Sequence, residues 1–327
     1  EAMDEFVARV SEMAPAHFAT HELRGMRFLN RECFPDTRFF DRLTSVEGRP
    51  VPSSLDLLAL LESKTARSIL DEEDDAFGYE FYRRGFQELE RELDGMTYGD
   101  WTRNAYWSWL YALSAMVDGP PEGAPAFMST DAWEYRAVAA ASAAWADFRS
   151  RPERTERLEE RATGSGSGPP PYIEPYPELY ARLRELVEHL RDRLLDHYLL
   201  DEVLEARLTG FCVLLTFLEE TSVAELSGET GGGPVESAMW LSDFGGMLRS
   251  LVGPGVTPAG ADRAAVTRAF RNYDAGVSLL AGTGRPDILY VAVVVDGEPT
   301  LYAGPVYSFY ELRVEGEEPD VAAWRAG

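Results

Sequence analysis

Lysine is almost missing from this chain: Lys64 is the only one in 327 residues, and the other basic residues are arginine. Positive charge as a whole is scarce, with 31 basic against 56 acidic residues and a net charge of −25. A field of that sign repels a phosphate backbone, and no local basic patch offsets it, which argues against a nucleic-acid partner. An anionic membrane surface is disfavoured for the same reason. Cysteine is scarce too. Cys33 and Cys212 form no CxxC pair, which excludes a zinc ribbon or a thioredoxin-type centre. They are one long-range disulfide or two buried thiols, and the core preference of free cysteine favours thiols. No apolar run approaches the ~20 residues that span a bilayer, so no membrane insertion is expected. The opening Glu1-Ala2-Met3-Asp4 lacks the basic segment of a signal peptide. Neither glycine-rich stretch, Gly164 to Gly168 or Gly231 to Gly233, is followed by the Gly-Lys-Ser/Thr of a phosphate loop, and no Gly-x-Ser-x-Gly elbow occurs. With four histidines in the chain, no Ser-His-Asp triad can be nominated.

What is present is a core. Hydrophobic residues make up 45% and aromatic residues 12%, enough for one large domain or two ordinary ones. Tyr79, Tyr82, Phe86, Leu89 and Leu93 recur at 3-4-3-4 spacing, the face of a helix, with Gly95 as its stop. Leu179, Leu183, Leu186 and Leu190 repeat the pattern after Pro177, and so do Leu204, Leu208, Phe211, Leu215 and Leu218. Ser53-Ser54-Leu55-Asp56 has capping-box spacing before an apolar run. Ser129-Thr130-Asp131 predicts the cap of a helix through Trp133 and Trp145. Trp101 to Val117 is apolar nearly all round, which predicts a central helix. The stretch 163–171 is read as a surface loop. The last quarter changes character: 288–295 is β-branched, Asp296-Gly297 supplies a hairpin turn, and the return strand runs to Tyr310 with Pro305 marking a bulge or an edge. A two-stranded hairpin is marginal alone, so it should pack on helices or find a third strand near Gly276 to Leu280. The expected fold is α+β and predominantly α: a helical bundle body (1–260) with a small C-terminal β-hairpin subdomain (261–327).

Several segments together resemble a known family. They are Met26-Arg27-Phe28, Phe34-Pro35-Asp36, Pro52-Ser53-Ser54-Leu55-Asp56, 101–113 and Pro125 to Ser129 leading to Trp133. They continue with Trp145 to Arg149, Tyr172-Ile173-Glu174-Pro175, Gly284-Arg285-Pro286-Asp287, Tyr307 to Glu311 and Trp324. In this order they resemble the uncharacterised bacterial and archaeal family known as domain of unknown function 3160. The resemblance implies that the chain is the C-terminal half of a longer protein whose N-terminal half would be its partner. It also implies an extracytoplasmic site, and it carries no established activity. Two departures stand out: Ser150-Arg151-Pro152 replaces a family His-Asp-Thr, and Tyr273-Asp274-Ala275-Gly276 replaces Ala-Asp-Val-His. Any chemistry resting on those histidines is lost here.

The candidate chemistry is sparse. His17 and His21 have HxxxH spacing, which on a helix places both rings on one side as weak metal candidates; two surface histidines is the plainer reading. His189 and His197 lie about 12 Å apart along a helix, too far to share an ion. Asp71 to Asp75 lacks the alternating ligands of a calcium loop and reads as a solvated acidic loop. Tyr172 and Glu174 precede a helix, where the carboxylate either caps it or serves a substrate as positioning group or base. Asp147 and Arg149 lie beside Trp145, able to hold a polar ligand or to form a buried ion pair. Tyr310 and Glu311 end the hairpin. With Asp274, these seven residues are the expected ligand-binding set, in a cleft between body and hairpin. No cofactor is called for. The leading expectation is a non-catalytic or catalytically degenerate binding module for a polar small molecule, peptide or glycan. The alternatives are a metal-dependent hydrolase completed by a missing N-terminal half, and a structural cell-surface component.

Overall fold

The computed structural model describes residues 34–72, 76–150, 172–227, 251, 265–284, 286–295 and 298–316. All but Phe34 belong to one compact unit, Pro35–Gly327. His17, His21, Cys33, the loop 163–171, the turn at Asp296-Gly297 and Trp324 lie outside the described residues. Within them nine helices precede five strands: α1 (Pro35–Leu43), α2 (Ser54–Leu60), α3 (Lys64–Glu72), α4 (Glu80–Asp94), α5 (Tyr98–Trp101), α6 (Ala105–Val117), α7 (Asp131–Ser150), α8 (Pro177–Asp196), α9 (Glu202–Leu226), then β1 (Ala265–Asn272), β2 (Val277–Thr283), β3 (Asp287–Val295), β4 (Glu298–Val306) and β5 (Phe309–Glu315). The protein is α+β and mainly helical. No helix of the described residues is long and apolar enough to cross a membrane.

The helix ends follow local chemistry. Ser53 and Asp56 form a reciprocal capping box at α2, and Thr130 Oγ1 accepts from the Trp133 amide at the start of α7. Helix α4 buries Tyr82, Phe86, Leu89 and Leu93 and closes at Gly95, leaving Tyr79 just outside its first turn. The apolar run 101–117 is not one helix. It breaks at Thr102 to Asn104, because the Asn104 side chain takes the Trp107 amide (3.0 Å) and starts α6 afresh. The central helix is α7 instead, with contacts to α2, α3, α6, β1, β2 and β5. Its buried face carries Ala137, Ala140, Ala141, Ala143 and Ala146, whose small side chains let helices on one side and a sheet on the other approach closely. On α8 the leucines are only partly covered and Val187 is the buried residue. Helix α9 packs along it through Cys212, Leu214, Leu215 and Leu218. Cys212 is a buried free thiol, and burial pushes its pKa up.

The strands divide differently from the sequence expectation. β3 and β4 form the expected hairpin, paired from Asp287↔Val306 to Val295↔Glu298. The return strand ends at Val306, and β5 leaves for a separate antiparallel sheet of order β1-β2-β5. The third strand near Gly276 exists as β2, but it is the buried centre of that sheet and does not extend the hairpin. β1 carries a bulge at Ala269, since Arg268 pairs with Leu280 and Phe270 with Leu279. A bulged residue leaves the ladder, and the freed Ala269 carbonyl accepts from Arg149 Nη2 at 3.0 Å.

Candidate functional site

The connection from α1 to α2 is rich in glycine and proline (Gly48-Arg49-Pro50-Val51-Pro52) and is tied down at several points. Gly48 has φ +122°, and a Cβ there would meet the Tyr79 ring at 3.0 Å; only glycine fits both demands. The Pro50 carbonyl accepts from Asn272 Nδ2 of β1 (3.1 Å). Beneath the loop, the fully buried Asp56 carboxylate accepts from Arg49 Nη1 (2.8 Å), the Ser53 amide (2.8 Å) and Tyr82 Oη (2.7 Å). Arg49 also lies over the Tyr82 ring, 5.0 Å from its centre. Burial holds the Asp56 carboxyl above its usual range despite the adjacent guanidinium. From β5, Glu311 reaches back to accept from Ser53 Oγ (2.8 Å) and from the Ser54 amide. Its pKa is raised by burial, against those hydrogen bonds. These contacts border an open cleft of about 470 Å³ with Arg49, Tyr79, Glu311 and Arg313 on its walls and Val51, Leu55, Ile69 and Leu279 among its apolar lining.

Arg149 lies elsewhere, inside the molecule. Its Nη1 donates to both oxygens of Asp36 (2.7 and 2.8 Å), a carboxylate that also accepts from Tyr106 Oη (2.8 Å) and Trp145 Nε1 (2.7 Å). The buried ion pair considered for this arginine therefore exists with α1 as its source of charge. Burial and the Asp36 charge push the Tyr106 hydroxyl well above its ordinary pKa. Asp147 is buried on the same helix; two residues apart on a helix, it and Arg149 face different ways.

Tyr172 and Glu174 form a third neighbourhood, next to the hairpin. Glu174 is not the cap of α8, whose N-cap position is Tyr176 without a side-chain bond. It forks onto Arg136 instead, with Nη1 to Oε2 at 2.7 Å and a second contact from Nη2. Its carbonyl accepts from Tyr180 Oη (3.1 Å), and Trp133 Nε1 donates to Tyr176 Oη (2.8 Å). The Tyr172 ring lies 5.4 Å from that of Tyr302 on β4. Its hydroxyl faces the Glu225 carboxyl in the last turn of α9, where Gly123 leaves room: a Cβ at Gly123 would come within 2.6 Å of the Leu226 carbonyl. Burial pushes Glu225 up to about 7, against the pull of the Tyr172 hydroxyl, and Glu225 Oε2 is buried without a partner among the described residues.

This carboxyl makes stability fall as pH rises. Its folded pKa of about 7 exceeds the ordinary 4.5, so between those values the folded chain holds a proton that the unfolded chain has lost. The stabilisation is full below about 4.5 and gone above about 7. Glu225→Gln is therefore expected to be more stable than wild type by about 1–2 kcal/mol at pH 8, after allowance for partial solvent screening, with the difference vanishing near pH 4. Urea titrations of both proteins across that range measure it; equal stability at pH 8 would contradict it.

The remaining candidates stand apart. Asp274 is exposed in the β1–β2 turn, beside Asn272, whose Oδ1 takes the Ala275 amide (3.0 Å). Tyr310 is adjacent to Glu311 and so projects to the other face of β5, half exposed and lying across Gly284. The seven residues thus fall into separate neighbourhoods; Tyr172 and Glu174 share one, and Glu311 alone lines the cleft. Sequence reasoning missed Arg49, Asp56 as an ion-pair partner, Arg136, Glu225 and Arg313. Only Asp56 had a signal, its place in the capping box. Among the described residues, no three His, Cys, Asp or Glu side chains are grouped so as to hold a metal ion.

No curated protein and no solved structure matches this chain. The sequence model of one family does, over residues 4–319, and its span takes in the cleft, the buried Arg149 centre and the Tyr172–Glu225 cluster alike. The chain belongs to the family described as "Protein of unknown function (DUF3160)".

Proposed function

We propose that the protein is a non-catalytic binding module that takes a polar small molecule, or the end of a peptide or glycan, in the cleft between the loop 48–53 and strand β5. The observation that carries this reading is the pairing of a buried carboxylate, Glu311, with the guanidinium of Arg313, two positions apart on one strand and both lining the cleft. Cavities of this size with a few fixed polar groups are the usual form of small-ligand sites. The walls are set in advance: Asp56 holds Arg49 and the Ser53 amide, and Ser53 and Ser54 hold Glu311. Preorganisation lowers the ordering cost of binding. The acidic groups are engaged by donors, which suits them to orienting a ligand more than to moving protons. Arg313 is half exposed, its ion-pair partner among the described residues is the exposed Glu315 at 3.3 Å, and it can turn toward an anionic or hydroxylated ligand.

The test is calorimetric titration with free amino acids, dipeptides and small sugars, on wild type and Arg313→Ala. Because Arg313 is exposed, the variant should fold normally. A ligand of one of these classes is expected to bind wild type and to lose about tenfold in affinity in the variant, roughly 1–2 kcal/mol for one charged hydrogen bond. Equal binding to both, or no binding by any member of the panel, defeats the assignment.

A further inference from the structure

The β3–β4 hairpin pairs with no other strand among the described residues. One of its faces is accounted for: Leu289 and Val291 pack against Met128, Trp133 and Tyr176. The opposite face is bare and wholly apolar. Ile288, Tyr290 and Val294 of β3 are 66%, 63% and 66% exposed, and Leu301 of β4 is 64% exposed. The other described residues of that face are alanines and prolines, all exposed. A chain with net charge −25 thus keeps one face of a two-stranded ribbon free of any charge. Soluble proteins seldom leave such a patch uncovered.

We propose that this face is the interface of a homodimer, in which the hairpins of two copies pack face to face about a twofold axis. Three observations select a second copy as the occupant. The patch is uncharged and uniform, so it complements itself, as a twofold contact requires, and it offers a charged partner nothing to pair with. Its shape suits a second sheet, which packs at ~10 Å with interdigitating side chains. Its area is adequate: the four large side chains alone expose roughly 500 Å² per copy, so two copies bury on the order of 1,000 Å², where specific interfaces begin. Strand addition along β4 is not the route. Pro299 and Pro305, opposite Val294 and Ile288 in the register, take two donors from its outer edge, a common guard against edge pairing.

The experiment is sedimentation velocity on the full chain, with phosphatidylcholine vesicles as a second arm. Wild type is expected to sediment at twice its 36.4 kDa mass. The double variant Val294→Asp/Leu301→Asp is expected to be monomeric with an unchanged circular dichroism spectrum, its dimer dissociation constant raised at least about 30-fold. Tyr198→Asp, a control at an aromatic residue that is 97% exposed, should remain dimeric. A monomeric wild type overturns the proposal, as does a dimer that Tyr198→Asp dissolves and the double variant does not. A monomeric wild type that binds vesicles, and loses this with the two aspartates, would assign the face to lipid instead.

Discussion

Asp36→Ala is expected to destabilise the protein by about 3–5 kcal/mol, the usual penalty for removing one partner of a buried ion pair. Asp36 is fully buried and accepts from three side chains: Arg149, Tyr106 and Trp145. Alanine leaves a guanidinium, a hydroxyl and an indole N–H competing for what remains in a dry interior, where each unmet donor costs roughly 1–3 kcal/mol. The damage spreads because the centre joins α1, α6 and α7, and Arg149 continues it to the Ala269 bulge of β1. Urea titration followed by fluorescence measures the effect. The double variant Asp36→Leu/Arg149→Met is expected to recover much of the loss, since replacing a whole buried pair by apolar groups of similar volume is often neutral. A deficit under about 1 kcal/mol in Asp36→Ala would show that Arg149 finds water or another acceptor, and the centre would lose its structural role.

Asp56→Asn is expected to cost about 2–4 kcal/mol and to weaken ligand binding in the cleft at least tenfold. Asparagine keeps the shape: its carbonyl takes the Oδ2 place and accepts from Arg49 Nη1 and the Ser53 amide, both now 2.8 Å from Asp56 Oδ2, while its amide donates to Tyr82 Oη. The bonds to Arg49 and Ser53 lose their charge assistance, however, which roughly halves their strength. Arg49 loses its counter-charge, the cap of α2 weakens, and the loop 48–53 is no longer held against Glu311. Adding Arg49→Met to this variant removes the stranded charge, so stability should partly return while binding does not. Recovery of both would mean that the cleft does not use Arg49. Unchanged binding in Asp56→Asn would mean that the ligand does not depend on the loop's position.

Features set by neighbours in the chain could be read directly. The Ser53–Asp56 box, the Thr130 start of α7, the buried stripe of α4 and the β3–β4 hairpin involve contacts within a few residues, or alternate at a fixed period. Where the period was broken, reading failed. The side chain of Asn104 interrupted an apolar run that looked continuous. The Ala269 bulge shifts β1 out of register, and β2 is covered on both faces, so neither strand shows alternation.

The candidate sites followed the same division. Composition and local pattern settled a mainly helical α+β protein with a hairpin near its end, because propensity, caps and periodicity act over one or two turns of chain. They marked Glu174, Arg149 and Glu311 as residues of interest, since charged groups among apolar segments need partners. Who those partners are was decided only when the chain folded. Arg149 meets Asp36 across 113 positions, Glu311 meets Ser53 across 258, and Glu174 meets Arg136 across 38. Burial then shifts Glu225 to about 7 although nothing in its sequence neighbourhood sets it apart. Desolvation and ion pairing depend on distance in space, which the order of residues along the chain does not contain.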